Sequence, residues 1–344
     1  MVEQCATIAE AKRKIDAGEW HEIGKGKRER QLRDFLQSCR EKEVPFVVAR
    51  SASPEELHGD FEEPLLVSGL IEEWPAMHKW QMDALQESRE YCECELRVGE
   101  SEDDGGDVLV PLSTFLQYCK STRDETPLYI FDHEFGERVP ALVEDYAPLK
   151  DYFPDNLMEC IDTHRPPFRW LLIGPEHSGT DVHQDPFGTV AWNALIMGEK
   201  LWALFSPELS ANDVGVPQLQ DDEAAVSWFL RHVLDIAAKF PGKVLLAVQG
   251  RGDVLMLPTG WWHAVWNTKA TVAVTENSVR KRDFERIWNE LIVEDGVIEK
   301  QEILSKVEET FGFVDKDQTE QWLTRVCSTF FEDTVPPHLS LFSA

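Results

Sequence analysis

The sequence predicts a mainly β protein in which seven or eight short strands form two facing antiparallel sheets closed as a barrel. Three observations predict this fold class. Short apolar runs bounded by turn residues recur from about residue 128 onward, one of them alternates clearly between two faces, and a helical pattern interrupts them between about 208 and 240. Many short strands joined by turns are typical of β-barrels.

Length and charge limit the classes of function. The chain has 344 residues, of which 42% are hydrophobic, enough for one large domain with extensions or for two domains. Its 34 basic and 63 acidic residues give a net charge of −29, which repels nucleic-acid phosphates and would steer basic partners toward the protein. An acidic surface that serves solubility alone explains the charge equally well. Direct nucleic-acid binding is therefore disfavoured, and we expect a basic protein or peptide substrate.

The chain divides into three predicted regions. Residues 1–120 are expected to form helices and strands that pack on the barrel, with strands near 45–50 and 64–70. Residues 121–280 form the barrel and its helical insert. Residues 281–344 form an acidic helical extension, which offers a surface for a homodimer or for substrate docking; simple packing on the barrel is the alternative.

The barrel strands are expected to alternate with turns and to be interrupted by one helical insert. Apolar residues between about 224 and 237 recur at helical spacing, so this segment is not another strand. The strands themselves are predicted at 128–131, 168–174, 200–205, 244–248 and 254–257, and near His263 and Thr271.

Three side chains far apart in the chain predict a catalytic metal centre. His183 and Asp185 are two residues apart, so a strand through this segment would place both on one face. His263 follows the apolar run 254–257 and is expected at the start of another strand. Two histidines and a carboxylate are the facial triad of non-haem Fe(II) oxygenases. Because His-x-Asp alone is more often a surface or capping pair, the prediction depends on neighbouring residues.

Lys200 strengthens the metal prediction. In the run 200–205, alternation places Lys200, Trp202 and Leu204 on one face of a strand. A lysine on such a half-buried apolar face is costly unless it meets an anion. A bound dicarboxylate would supply one.

Several motifs together resemble the Jumonji C (JmjC) 2-oxoglutarate-dependent oxygenases, a branch of the cupin-like double-stranded β-helix proteins. The resemblance is strongest to the members once called the phosphatidylserine receptor and described as bifunctional arginine demethylase and lysyl hydroxylase. It covers roughly half of the chain, from about residue 120 to about 290. The matching segments are 121–124 (Ser-Thr-Arg-Asp), 127–132 (Pro-Leu-Tyr-Ile-Phe-Asp), 165–170 (Arg-Pro-Pro-Phe-Arg-Trp), 179–202, 260–263 (Gly-Trp-Trp-His) and 275–277 (Thr-Glu-Asn).

The resemblance implies a 2-oxoglutarate site beside the metal. Lys200 and Thr275 would hold the distal carboxylate, and Tyr129 would add its hydroxyl. Asn193 and Asn277 would face the same interior, and Thr180 would line the mouth of the site. Asn193 as a satisfied core amide and Thr275 as a simple β-forming residue are the alternatives.

The implied reaction uses Fe(II), 2-oxoglutarate and O2, with ascorbate as the reductant. Lysyl hydroxylation of a basic protein is the predicted activity, and N-methyl-arginine or N-methyl-lysine demethylation by the same mechanism is the first alternative. A cupin-like barrel that only binds its partner is the alternative from another class. The acidic C-terminal region differs from the relative's basic segments and serine-rich tail, which puts an RNA association in doubt.

Seven cysteines without a framework spacing favour reduced thiols in an intracellular protein. No apolar run reaches the length of a membrane span, and the first residues do not resemble a signal peptide. A location in the nucleus or cytoplasm is expected, with the nucleus implied by the resemblance alone.

Overall fold

Two β-sheets dominate the computed structural model, which describes residues 7–15, 21–57, 61–99, 108–153, 156, 166–216, 225–280 and 283. The strands are β1 (Phe46–Val47), β2 (Leu65–Ser68), β3 (Glu95–Arg97), β4 (Leu109–Pro111), β5 (Ile130–Asp132), β6 (Arg169–Gly174), β7 (Gly179–His183), β8 (Val190–Met197), β9 (Glu199–Phe205), β10 (Val244–Gly250), β11 (Asp253–Leu257), β12 (Trp262–Asn267) and β13 (Thr271–Ser278).

The six-stranded sheet has the order β2-β11-β8-β13-β6-β5, and the five-stranded sheet has the order β1-β10-β9-β12-β7. Every pair within them is antiparallel except β1 with β10. The mainly β, jelly-roll fold predicted from the sequence is confirmed. Among the described residues the two sheets hold eleven strands rather than the seven or eight predicted, because β1 and β2 from the N-terminal part of the chain join them and the segment after Asp185 adds β8.

Strand alternation separates an inner and an outer layer in the five-stranded sheet. In β9, Leu201, Ala203 and Phe205 pack outward against two helices. Trp202 and Leu204 pack inward with residues of the opposite sheet. The space between the sheets is therefore lined by the same face of β9 that carries Lys200, as alternation predicts.

Strand β8 shows the same division in the six-stranded sheet. Every residue of β8 except the last is buried, so the strand is covered on both faces. Trp192 belongs to the core outside the barrel, where its ring meets those of Trp74 and Tyr146. Leu195 faces the inner side. Asn193 lies on that inner side too, two residues from Leu195.

Helices cover both outer faces. The helices α2 and α9 pack on the five-stranded sheet, and N-terminal helices including α1 and α6 pack on the six-stranded sheet. The helices are α1 (Ile8–Ile15), α2 (Lys25–Glu41), α3 (Pro54–Leu57), α4 (Ala76–Lys79), α5 (Met82–Glu87), α6 (Leu112–Ser121), α7 (Phe135–Arg138), α8 (Pro140–Glu144) and α9 (Ala225–Lys239).

Helix α9 lies within the segment predicted as a helical insert. The predicted C-terminal extension, and with it the proposed dimer surface, lies outside the described residues apart from Asp283. None of the helices described combines the length and the apolar character needed to cross a bilayer.

Candidate metal centre and co-substrate pocket

The structure brings together the three predicted metal ligands. His183, Asp185 and His263 each offer one ligand atom, and these atoms all lie within 4.8 Å of one another. His183 ends β7 and stands opposite His263 in the β7–β12 pair, with the two ring centroids 4.1 Å apart. Two imidazoles and one carboxylate at this spacing form a donor set that suits a divalent transition metal and leaves part of its coordination sphere open.

Both histidines are oriented by backbone carbonyls two residues earlier. Nδ1 of His183 lies 2.7 Å from the Asp181 carbonyl oxygen, and Nδ1 of His263 lies 3.1 Å from that of Trp261. A carbonyl only accepts, so Nδ1 carries the proton and Nε2 keeps its lone pair for a metal. Burial lowers the pKa of His263 well below its ordinary value, and the neighbouring His183 lowers it further. The His263 imidazole is therefore neutral, the form that binds metal.

Asp185 does not lie on a strand, contrary to the simplest interpretation of its spacing. β7 ends at His183, and Asp185 precedes a 3-10 turn, Pro186–Gly188, in extended backbone with φ −62° and ψ 142°. Burial raises the pKa of Asp185, while His183 and a hydrogen bond with Asn277 act in the opposite direction. A bound cation would favour the carboxylate further.

Asn277 lies next to the metal ligands. It is buried, its amide also donates to Thr189 Oγ1 at 2.9 Å, and it contacts the Asp185 carboxyl group. These contacts place Asn277 where it orients the metal ligand Asp185, rather than beside the distal carboxylate of a co-substrate.

An irregularity in β7 determines where Thr180 faces. His183 stands opposite His263, but Thr180, rather than residue 181, stands opposite Val265. Residues opposite each other in an antiparallel pair share a face, and Val265 packs between the two sheets. Thr180 and His183 therefore both face the interior, although regular alternation would separate residues three apart.

Lys200 is buried in the interior and pairs with no anion among the residues that the structure describes. Its side chain is 1% exposed, and its Nζ contacts the Tyr129 hydroxyl oxygen at 3.3 Å and lies 5.7 Å from the centre of the Trp202 ring. No carboxylate within the described ranges forms an ion pair with it, and burial lowers its pKa to about 7. The buried Asp132 and Asp145, by contrast, are each paired with a cation. Lys200 thus has the unmet requirement for an anion that the sequence predicts.

Asn193 and Thr275 face each other across β8 and β13 but differ in their hydrogen bonds. Asn193 is 6% exposed, and its buried Oδ1 has no partner among the residues that the structure describes. The satisfied core amide, the alternative interpretation, does not account for this oxygen. Thr275 donates its hydroxyl proton to the Trp192 carbonyl at 2.8 Å. A carboxylate would have to compete with that carbonyl for the proton.

Tyr129 precedes β5, which starts at Ile130 rather than at 128 as predicted. Its ring lies against Gly174, the last residue of β6. A Cβ at position 174 would collide with the Tyr129 ring and with Ser178 Oγ. Gly174 therefore leaves the space in which the Tyr129 hydroxyl reaches Lys200.

Two buried amides flank Lys200 in its sheet, and neither is among the site residues predicted from the sequence. Gln249 on β10 and Asn267 on β12 stand directly opposite Lys200 and are fully buried. Asn267 donates to Ser178 Oγ at 2.8 Å. Extending the predicted 244–248 strand by one residue would have brought Gln249 to the inner face by alternation.

Comparisons with known proteins agree with the geometry. A model of the cupin-like domain family matches residues 55–277. The lysine-specific demethylase JMJ21 of Arabidopsis thaliana is 37% identical over 233 residues, which are 65% of this chain and 24% of the relative. The bifunctional arginine demethylase and lysyl-hydroxylase psr-1 of Caenorhabditis elegans is 34% identical over 258 residues, 71% of this chain and 63% of the relative.

A third relative, the 2-oxoglutarate and iron-dependent oxygenase JMJD4 of Danio rerio, is 27% identical over 200 residues, 52% of this chain and 44% of the relative. The chain thus spans less than two thirds of the length of each of these curated relatives. The chain belongs to the cupin-like domain family, and its predicted resemblance to the JmjC oxygenases is confirmed.

Proposed function

We propose that this protein is an Fe(II)- and 2-oxoglutarate-dependent oxygenase that hydroxylates lysine side chains of a basic protein substrate. The observation that carries the proposal is the buried Lys200, which pairs with no carboxylate of the described residues and lies in the interior that gathers His183, Asp185 and His263. A metal triad alone fits many reactions. A triad that shares its cavity with an uncompensated ammonium fits a reaction whose co-substrate is both a metal ligand and an anion.

In this proposal His183 Nε2, His263 Nε2 and the Asp185 carboxylate hold the iron. The Asp181 and Trp261 carbonyls each accept a hydrogen bond from Nδ1, which leaves Nε2 of both imidazoles to face the metal. Asn277 holds Asp185 in place.

The other end of the cavity would hold 2-oxoglutarate. Lys200 would pair with the distal carboxylate, Tyr129 and Asn193 would donate hydrogen bonds, and Thr275 would contribute once its hydroxyl turns away from Trp192. Thr180 would line the entrance. Together with O2, the bound iron and 2-oxoglutarate supply an oxidation that replaces a substrate C–H bond by C–OH and releases succinate and carbon dioxide.

The substrate assignment depends on charge and on the relatives. A net charge of −29 favours a basic partner, and psr-1 carries lysyl-hydroxylase in its name. Demethylation of N-methyl-arginine or N-methyl-lysine is the second candidate. The names of psr-1, JMJ21 and the arginine-specific demethylase JMJ22 of Arabidopsis thaliana favour it. Hydroxylation of an N-methyl carbon gives an unstable product that releases formaldehyde, so both reactions need the same site.

The decisive test incubates the full chain with Fe(II), ascorbate, 2-oxoglutarate and basic peptides that carry lysine or N-methylated arginine and lysine. Succinate that forms with the wild type but not with Lys200→Ala would support an oxygenase. Mass spectrometry then distinguishes a gained oxygen atom from a lost methyl group. A protein that binds the peptides but forms no succinate would be a non-catalytic binding module instead.

Three further expectations belong to the proposal: the protein does not bind nucleic acid directly, it lies in the nucleus or cytoplasm, and its C-terminal region forms a homodimer surface. They are supported by the charge balance, the cysteine usage and the sequence pattern of residues 281–344.

A further inference from the structure

Gln249 is a fully buried side chain that connects the two sheets behind the pocket. It extends from β10 of the five-stranded sheet, and its Nε2 donates to the Asn193 carbonyl of β8 at 2.8 Å. The same nitrogen donates to the Asp253 carbonyl at 3.0 Å, and Oε1 accepts from the Trp202 indole N–H at 2.9 Å. Two carbonyl partners and one N–H partner fix which end of the amide is which.

The groups held by Gln249 are those that line the pocket. Asn193, like Asn267 and Thr271, has a buried side-chain oxygen without a partner in the described chain. The Trp202 ring lies 5.7 Å from Lys200 Nζ and 6.0 Å from the His263 ring. Gln249 itself stands opposite Lys200 in the β9–β10 pair. One amide thus contacts the Asn193 backbone and the Trp202 ring and stands beside Lys200.

We propose that Gln249 is a positioning residue for 2-oxoglutarate: it holds the Asn193 backbone and the Trp202 ring at the spacing that the co-substrate requires between the two sheets. This inference rests on the proposed function and deepens it. Within the described chain the Gln249 amide is hydrogen-bonded to Asn193, Asp253 and Trp202, so we infer that it acts through Asn193 and Trp202. A carboxylate held from both sheets is sensitive to their separation, because hydrogen bonds weaken steeply with distance and angle.

A purely structural role is the competing explanation, and Gln81 provides the matched control. Its amide also donates to carbonyls, those of Met77 at 3.0 Å and of Ile196 at 3.5 Å. Ile196 belongs to β8, as Asn193 does, but it packs in the core outside the barrel. Gln81→Met therefore removes a comparable connection to the same strand on the face away from the pocket.

The test measures the dissociation constants of Mn²⁺ and of 2-oxoglutarate by anaerobic calorimetry on the full chain, together with the melting temperature. For Gln249→Met we expect 2-oxoglutarate to bind about tenfold more weakly, the loss of roughly one well-placed hydrogen bond, with Mn²⁺ affinity changed by less than about threefold. Gln81→Met should lower the melting temperature but leave both dissociation constants unchanged.

Unchanged 2-oxoglutarate affinity in Gln249→Met, or an equal loss in both variants, would overturn the inference while leaving the proposed function intact. A wild type that binds Mn²⁺ but not 2-oxoglutarate would overturn both. Should Gln249→Met fail to fold, Trp202→Phe decides the question, since it removes the indole N–H that Gln249 accepts while keeping an aromatic ring at this position. We expect this variant to bind 2-oxoglutarate about threefold more weakly, and unchanged affinity would again overturn the inference.

Discussion

The two sheets of the barrel contribute different kinds of groups to the cavity between them. The five-stranded sheet carries His183, His263 and Lys200, and Asp185 directly follows its edge strand. Most of the neutral side chains assigned to the site, those of Tyr129, Asn193, Thr275 and Asn277, lie on or beside the six-stranded sheet, and Thr180 and Gln249 are the exceptions. The charged groups and most of the orienting groups therefore come from different sheets. The five-stranded sheet would bind the metal and the anionic co-substrate, and the six-stranded sheet would orient them.

The strongest test of this division removes a metal ligand from the five-stranded sheet. His263→Ala should weaken Mn²⁺ binding by more than about 100-fold, the upper end of the effect seen when a mere outer-shell partner is lost. Succinate formation should fall to background. His78→Ala, an exposed histidine on α4, is the control and should change neither quantity. Retained metal affinity in His263→Ala would show that the triad is not the metal site.

Lys200→Met tests the anion-binding half of the same sheet. Loss of a charge-assisted hydrogen bond should weaken 2-oxoglutarate binding by about 100-fold while Mn²⁺ affinity stays unchanged. Without co-substrate the variant should melt at a higher temperature than the wild type, because it no longer buries a polar amine that pairs with no carboxylate of the described residues.

Lys243→Met is the matched control, since the ammonium of Lys243 lies at the surface beside Glu208. It should alter neither the affinity nor the melting temperature appreciably. A lower melting temperature in Lys200→Met would contradict the view that the pocket keeps its cation at a cost to stability.

The titration of Lys200 predicts how co-substrate binding depends on pH. Burial lowers its folded-state pKa to about 7 from an ordinary 10.5, and the groups facing it, Tyr129, Gln249 and Asn267, include no carboxylate. Above pH 7 the empty pocket therefore holds a neutral amine, which must take up a proton to pair with a carboxylate. The affinity for 2-oxoglutarate should fall by up to about tenfold per pH unit as pH rises through this range.

The same shift affects stability with a definite sign. Between pH 7 and 10.5 the unfolded chain binds the lysine proton and the folded chain does not, so this group makes the empty protein more stable as pH rises.

The proton uptake that accompanies 2-oxoglutarate binding can be measured directly. Calorimetry of 2-oxoglutarate binding in two buffers of different ionisation enthalpy, at roughly pH 6.5 and 8.5, would detect it. A dissociation constant with the same pH dependence in the wild type and in Lys200→Met would contradict the assignment.

The smallest expected effects come from Asn193 and Thr275 of the six-stranded sheet, and they should differ between these two paired residues. Asn193→Ala should weaken 2-oxoglutarate binding by about tenfold, because it removes the side-chain N–H that would donate to the co-substrate carboxylate. Thr275→Val should weaken it by only about threefold, because the Thr275 hydroxyl already donates to Trp192. Equal losses measured by calorimetry would show that the hydroxyl turns fully toward the co-substrate.

The metal ligands and Lys200, which belong to the five-stranded side of the site, are the part that the sequence predicts best. The identity and spacing of His183, Asp185 and His263 indicate a metal, and alternation in β9 places Lys200 inside. Both signals are local, because they need only residue types and the period of a strand.

The rest depends on pairing between distant segments, which a single sequence does not reveal. The inward direction of Thr180 follows from an irregularity that arises only when β7 pairs with β12. Gln249 gains its role from a carbonyl 56 residues earlier. The strand count is too low in the prediction because β8 is missing from it and because β1 and β2, of two and four residues, join partners distant in the chain.

The position of β2 also has a consequence for how the chain reaches its native state. Ser68 pairs with Asp253, 185 residues later, so the six-stranded sheet stays incomplete until nearly the whole barrel has been synthesised. Closing such a long loop is slow, and the waiting strands expose apolar edges in the meantime. Low temperature and chaperones during expression should therefore improve the yield of soluble protein more than any change to the finished fold.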